Sequence, residues 1–419
     1  MNLTFKKQEF LQDLKTLIAI KSINGDCGKV TQNAPLGEGI NNAIEAFLSI
    51  GKRFGFKTKN LDGFCGYIEM GSGEEMIGII VHTDTVATGD GWSYPPLECT
   101  VSENGVYGRG VIDNKGPALL ALYAMKALSD SDAPLSKRVR LIIGGDEENG
   151  NWRCMAHYKE TEEAPTIAFS PDADYPVVFG EKGLIRLKVW GNEENISSDF
   201  TFDGGSVINI VPDEAHAHIN GEVLCAKGKA AHGSMPEKGE NAILKLAEKI
   251  CAIAPQSTFA KLCSLKDAAA LGIDISDEES GHLTVNPSIL HADAKECSLS
   301  YDIRYPITAS GDKVIAAIKK AVSDKGLYCE IMFHENPLYV PKESHLVKTL
   351  SEIYKKRTHD SAPPVAIGGG TYAKAFKNCV AFGAMLPDEP ETMHAPDEFW
   401  SYRSIQINFD IITEAITKL

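Results

Sequence analysis

A short apolar run that ends in His-x-Asp constrains this chain more than any other feature. Gly78-Ile79-Ile80-Val81 has the make-up of a strand buried on both faces, and it leads directly into His82-Thr83-Asp84. In an extended chain, side chains two residues apart point the same way, so one imidazole and one carboxylate leave the strand together. After a polar interlude, Tyr107-Gly-Arg-Gly-Val-Ile-Asp113-Asn-Lys-Gly116 presents Asp113 in a glycine-bracketed turn ahead of a helical stretch at 117–128. Histidine with hard carboxylates at the ends of buried elements is the chemistry of a metal site. The dipeptide spacing alone is cheap, since His291-Ala-Asp293 repeats it without comparable surroundings.

The rest of the chain supplies those surroundings. Helical spacing of apolar residues covers 7–20 and 37–54. A buried-strand run at 139–143 ends in Gly144-Gly-Asp146-Glu147-Glu148-Asn-Gly150, and another at 166–169 ends in Ser170-Pro-Asp172-Ala-Asp174. Helices alternating with apolar strands predict an α/β sheet wrapped by helices. From Lys182-Gly183 the pattern changes. Segments 184–190 and 298–304 alternate apolar with polar residues, as strands with one wet face do, and helices are expected at 240–253 and 313–322. Buried-core patterning resumes at Pro337, with a helix at 345–357, the turn Gly368-Gly369-Gly370-Thr371-Tyr372, a strand at 380–383, His394 in a loop and a closing helix from about 404. The expected organisation is a catalytic α/β domain built from 1–182 and 337–419, interrupted by an α+β lid domain at 183–336.

Composition narrows the function. A chain of 419 residues can bury two cores, and 43% hydrophobic with 24% charged residues is ordinary for a globular enzyme. A formal charge of −15 argues against a nucleic-acid partner, because nothing offsets phosphate repulsion. No apolar run approaches the ~20 residues needed to span a bilayer, so no membrane partner is expected. The N-terminal stretch lacks the basic-then-apolar layout of a signal peptide. Ten cysteines, scattered singly without a C-x-x-C pair, suit free thiols in a reducing compartment. The expected location is cytoplasmic.

The candidate ligands are then His82, Asp113, Glu147, Glu148, Asp172 and His394, most of them after short apolar strands or in turns containing Gly or Pro. Open α/β sheets bind ligands at such carboxyl ends. The set exceeds what one tetrahedral ion needs, and it would furnish two ions sharing a bridging carboxylate. His216-Ala-His218 is a further tempting pair, but it falls in the lid region and reads as surface.

Six strings in this order, His82-Thr-Asp84-Thr-Val, Tyr107 to Gly116, Asp146-Glu147-Glu148, Ser170-Pro-Asp172-Ala, His232-Gly-Ser-Met-Pro and Gly368-Gly-Gly-Thr-Tyr372, resemble the M20 family of metallopeptidases and deacylases, in particular its PepV-like dipeptidase branch. The resemblance covers essentially the whole chain. It implies a zinc-peptidase-like catalytic domain, with helices around a mixed sheet, and an inserted ferredoxin-like lid. It implies that His82, Asp113 and Glu148 hold one ion and Asp113, Asp172 and His394 the other, as Zn²⁺ or Mn²⁺, with Co²⁺ also suited. Asp84 would hold the His82 ring in its ligating tautomer. Glu147 would be the general base acting on a metal-bridging water. The Asp113-Asn114 peptide would be cis.

From the lid, the resemblance places His232 on the substrate carbonyl oxygen. It assigns Asn209 and Arg304 to substrate contacts, the arginine to a free carboxylate. The Gly369-Gly370-Thr371 turn would bring backbone amides close to the substrate. The chain departs from the family where the glycine-rich string usually ends in arginine: Lys374 keeps the charge but loses the planar fork. The stretch between His218 and Lys227 is also short for this branch. The implied activity is hydrolysis of dipeptides or short peptides with a free amino terminus, by a monomer or homodimer. An N-acyl-amino-acid deacylase of the aminoacylase or desuccinylase type is the alternative within the enzymes. A degenerate peptide- or metal-binding homologue is the alternative outside them.

Overall fold

The computed structural model describes residues 3–131, 135–192, 200–219, 221–251, 257–293 and 295–419. The chain divides into two compact units. One comprises Met1–Phe179, Val340–Val365 and Thr371–Leu419, and the other Gly180–Tyr339 with Ala366–Gly370.

The first unit is built on a mixed sheet whose strands run in the order Lys57–Leu61, Cys65–Met70, Arg138–Gly144, Met76–His82, Ile167–Ser170 and Cys379–Ala381. The last four are mutually parallel, and the first two join antiparallel. Every residue of Met76–His82 is buried, which explains why that strand is uniformly apolar rather than alternating. Parallel alignment brings the carboxyl ends of Met76–His82, Arg138–Gly144 and Ile167–Ser170 to one edge of the sheet. These are the ends that carry the acidic strings.

Helices Lys7–Ile18, Glu38–Arg53, Lys115–Asp130, His345–Thr358 and Tyr402–Lys418 enclose this sheet. Lys115–Asp130 is buried over nearly its whole length, in keeping with its Ala/Leu-rich sequence, and each fully buried leucine contributes about 1.5–3 kcal/mol. Its entry is tight. A Cβ on Gly116 would stand 1.9 Å from the Val111 carbonyl oxygen, so only glycine lets the Asp113 turn fold back on itself. Alanine there would push the turn open.

The second unit carries a seven-stranded antiparallel sheet. Its centre is ferredoxin-like: Gly183–Asn192, Thr284–Ala292, Glu296–Tyr305 and Tyr328–Glu335 lie side by side in the order second, third, first, fourth. One face of the sheet, with Ile185, Leu187, Val189, Leu299, Tyr301 and Ile303, packs into a core with helices Ala242–Cys251, Thr258–Cys263 and Gly311–Asp324. Thr201–Gly204, Glu214–Ile219 and Glu222–Lys227 extend the sheet beyond Thr284–Ala292. His216 and His218 lie on Glu214–Ile219, where His216 Nε2 is 3.4 Å from Glu214.

The expected mixed α/β architecture with an inserted α+β unit is therefore present, with local differences. Ala366–Gly370 groups with the second unit although it follows Pro337 in sequence. The helix expected at 240–253 spans Ala242–Cys251, and residues 252 and 253 lie outside the described residues. Helix Arg153–Thr161 was not expected, because only Cys154, Met155 and Tyr158 mark its buried side and Trp152 enters it in the left-handed region, φ 48°. Among the described residues, no helix is long and apolar enough to cross a membrane.

Candidate metal centre

The carboxyl edge of the parallel strands gathers the acidic strings. His82 closes its strand, Glu147 and Glu148 follow Arg138–Gly144, and Asp172 follows Ile167–Ser170. Asp113 sits just before helix Lys115–Asp130, and its peptide bond to Asn114 is cis. His394 is supplied by the loop ahead of strand Phe399–Ser401, at φ 60°.

Two three-residue groups result, His82 with Asp113 and Asp172, and Asp113 with Glu148 and His394. Within each, one donor atom per residue lies within 4.8 Å of the others. His82 Nε2 is 3.0 Å from Asp113 Oδ1 and 3.3 Å from Asp172 Oδ1. His394 Nε2 is 2.9 Å from Asp113 Oδ2 and 3.2 Å from Glu148 Oε2. Asp113 thus offers one oxygen to each group. The partition corrects the sequence expectation, which joined His82 to Glu148 and Asp172 to His394. Strand order does not decide the exchange, since Met76–His82 lies between Ile167–Ser170 and Arg138–Gly144. The side chains decide it: Glu148 Oε1 accepts the Val86 N–H at 3.3 Å and its Oε2 faces His394, while Asp172 Oδ1 reaches His82.

The charges are unbalanced in a way that suits cations. Burial, and then the neighbouring Asp113, push the Glu148 carboxyl up to about 7. Burial and Asp172 hold Glu147 well above the usual carboxylate range. Asp172 is raised by burial as well. The Asp113 carboxyl, although buried, is pulled below the ordinary range by His394 and His82. Hydrogen bonds to Asp113 and Glu148 lift His394 to about 11. Two histidines alone cannot neutralise four crowded carboxylates, and divalent ions would. Mixed imidazole and carboxylate donors in two adjoining groups fit zinc, manganese or cobalt.

Around the groups, the polar contacts differ from expectation in one respect. His82 Nδ1 lies 2.9 Å from the Asp84 backbone carbonyl, whereas the Asp84 carboxylate is 3.5 Å away. That carboxylate accepts the backbone N–H groups of Glu147 at 3.2 Å and Glu148 at 3.0 Å. It therefore fixes the acidic turn more directly than it fixes the imidazole. Three residues that sequence reasoning passed over take part. Asn114 Nδ2 donates to Asp172 Oδ1 at 3.0 Å, Asn24 Nδ2 donates to Asp84, and the Tyr372 hydroxyl accepts the Asp146 N–H at 3.1 Å. Asn114 lay within a matching string and was legible there, whereas nothing local marks Asn24.

The expected substrate contacts belong to the second unit, apart from Thr371. His232 Nδ1 is 2.7 Å from Ser234 Oγ, and the Asn209 carbonyl accepts the Gly233 N–H at 2.7 Å. Arg304 is almost wholly buried and makes a two-point contact with Asp302, at 2.6 and 3.2 Å, and Nη1 donates to the Gly368 carbonyl at 3.1 Å. One edge of its fork is therefore spent within the unit. Gly368 is required by a close approach, since a Cβ there would meet Ser234 Cβ at 2.9 Å. Gly369 and Gly370 continue that segment, and the Thr371 hydroxyl caps the turn Tyr372–Ala375 by accepting the Ala373 N–H.

The family model described as Peptidase family M20/M25/M40 matches residues 78–418. The candidate dipeptidase YtjP of Bacillus subtilis (strain 168) is 35% identical over an alignment of 467 residues, covering 99% of this chain and 98% of the relative. That alignment is longer than this chain, so the relative carries residues with no counterpart here. Among solved structures, the dipeptidase Dug1p of Saccharomyces cerevisiae superposes with a TM-score of 0.64 at 13% identity, covering 98% of this chain and 96% of that one. The M20 family metallo-carboxypeptidase Sso-CP2 of Sulfolobus solfataricus gives 0.65 at 19% identity, with 98% and 99% covered. At these identities the two structures share the fold.

Proposed function

Since this chain belongs to peptidase family M20/M25/M40, and so is a metallopeptidase, we propose that it is a cytoplasmic dipeptidase working with two divalent ions, zinc or manganese. The observation that carries the proposal is the division of Asp113, one oxygen facing His82 and the other facing His394. His82, Asp113 and Asp172 would hold one ion and Asp113, Glu148 and His394 the other. Bound there, such ions supply Lewis acidity toward a carbonyl and acidify a coordinated water. The residues of the chain do the rest. Glu147 takes a proton from the attacking water and delivers it to the departing amine. Asp84 holds the Glu147–Glu148 backbone in place. His232 serves as the donor to the developing oxyanion, and Arg304 receives the terminal carboxylate on the part of its fork that Asp302 leaves open.

The test is hydrolysis by chelator-stripped protein reloaded separately with Mn²⁺, Zn²⁺ or Co²⁺, against matched free and N-acylated dipeptides. Turnover of free dipeptides on reloading is the expected result. Turnover of the N-acylated series alone would make the chain a deacylase. Two ions bound without turnover of either series would leave a binding protein.

A further inference from the structure

Glu398 lies four residues beyond His394, is fully buried, and belongs to neither ligand group. Its carboxylate is consumed by donors from another part of the chain. Oε1 accepts the backbone N–H groups of Gly110 and Ile112 at 3.0 Å and of Asp113 at 3.2 Å. Oε2 accepts the Gly110 N–H at 3.0 Å and Arg109 Nη1 at 2.8 Å. Arg109 in turn donates through Nη2 to the carbonyls of Ala87 and Thr88, at 3.3 and 3.4 Å, just beyond His82-Thr-Asp84. The Glu398 carbonyl accepts the Gly108 N–H at 3.0 Å, and strand Phe399–Ser401 pairs with Gly105–Tyr107.

One buried carboxylate and one arginine therefore join the three segments that present His82, Asp113 and His394. A turn rich in Gly has little stiffness of its own, because glycine loses the most freedom on ordering. Gly110 is at φ 94°, where a side chain would be strained, so the turn needs glycine and needs an external clamp as well. Inward-pointing N–H groups that converge on an anion provide that clamp, at the strength of charge-assisted hydrogen bonds.

We propose that Glu398 is a positioning residue for the metal centre: it sets the Asp113 carboxylate where each oxygen meets one ligand group. The inference rests on the two-ion proposal above. Because Asp113 belongs to both groups, disturbing Glu398 should weaken both sites together, whereas loss of His82 or His394 would weaken one. Groups that orient metal ligands typically cost about 10–100-fold in affinity when removed.

The test uses the full chain, stripped with chelator and titrated with Mn²⁺ by isothermal calorimetry. In E398Q, one acceptor oxygen becomes an NH₂ that faces N–H donors in either orientation. Folded E398Q is expected to bind Mn²⁺ about 10–100-fold more weakly at both sites. E414Q, which removes a buried carboxylate paired with Lys356, Arg357 and Lys418 in the same unit, is the control for general destabilisation and should keep wild-type Mn²⁺ affinity. Wild-type affinity in folded E398Q would overturn the inference while leaving the two-ion proposal intact. Weakening of E398Q and E414Q alike would reduce it to a structural effect and overturn it too. Failure of the wild-type chain to bind Mn²⁺ would sink the two-ion proposal first, and this inference with it. If E398Q does not fold, E398D carries the same test: the charge stays, the carboxylate is drawn back by one methylene, and wild-type affinity would again overturn the inference.

Discussion

The backbone N–H of Glu148 donates to Asp84 Oδ2 at 3.0 Å, so a buried carboxylate at the end of one strand fixes the turn at the end of the next. The neighbouring N–H of Glu147 donates to the other oxygen at 3.2 Å. Asn at position 84 keeps the volume but turns one acceptor into a donor facing an N–H. Asp84→Asn is therefore expected to lower kcat by roughly 10–100-fold, through misplacement of Glu147 and Glu148. The Glu148 group should bind its ion more weakly than the Asp172 group. Site-resolved Mn²⁺ titration checks this, and selective weakening of the Asp172 group would return Asp84 to the role of holding the His82 ring.

Glu147 tests the chemistry more sharply, because it is crowded against the ligands and belongs to neither group. Glu147→Gln keeps the shape and removes the base. The expected outcome is a kcat lower by roughly 10²–10⁴-fold with two ions still bound, measured as metal content and turnover on one sample. A variant that loses an ion along with activity would make Glu147 a ligand instead.

Much of this centre was legible before the fold was known, for a physical reason. Parallel strands must be apolar on both faces, so any polar string at their carboxyl ends stands out against the run that delivers it. His82, Glu147, Glu148 and Asp172 were all visible that way. What sequence could not carry was which acid turns to which histidine: Met76–His82 lies between the strands that lead to Glu148 and to Asp172, and only the folded side chains send Asp172 to His82 and Glu148 to His394. Glu398 stayed hidden for a similar reason. Its significance lies in backbone N–H groups far away in sequence, and a buried glutamate looks like any other acid until those donors are in place.

In the second unit, His232 is exposed and its ring is steadied by Ser234 Oγ at 2.7 Å. As an oxyanion donor it should matter to turnover and not to metal loading. His232→Ala is expected to lower kcat by roughly 10²–10³-fold, with metal content and Mn²⁺ affinity unchanged. Unchanged turnover would remove this unit from the chemistry.

Acid stability offers a test that does not depend on the metal centre. The Glu414 carboxylate is nearly buried and is approached by Lys356 at 2.8 Å, Arg357 at 2.6 Å and Lys418 at 2.9 Å. Burial works against its charge, but the hydrogen bonds from these three cations outweigh it and draw the pKa down to about 2, from an ordinary 4.5. A carboxylate depressed in the folded state binds its proton first in the unfolded chain. Its contribution is therefore complete above pH 4.5 and is lost as the pH falls toward 2. The difference corresponds to about 3 kcal/mol. Urea unfolding of metal-free wild type and Glu414→Gln should show a gap of that order at pH 7, narrowing below pH 4.5 and nearly closed at pH 2. A gap that stayed constant with pH would mean the glutamate acts through packing, and that the three cations do not hold its charge.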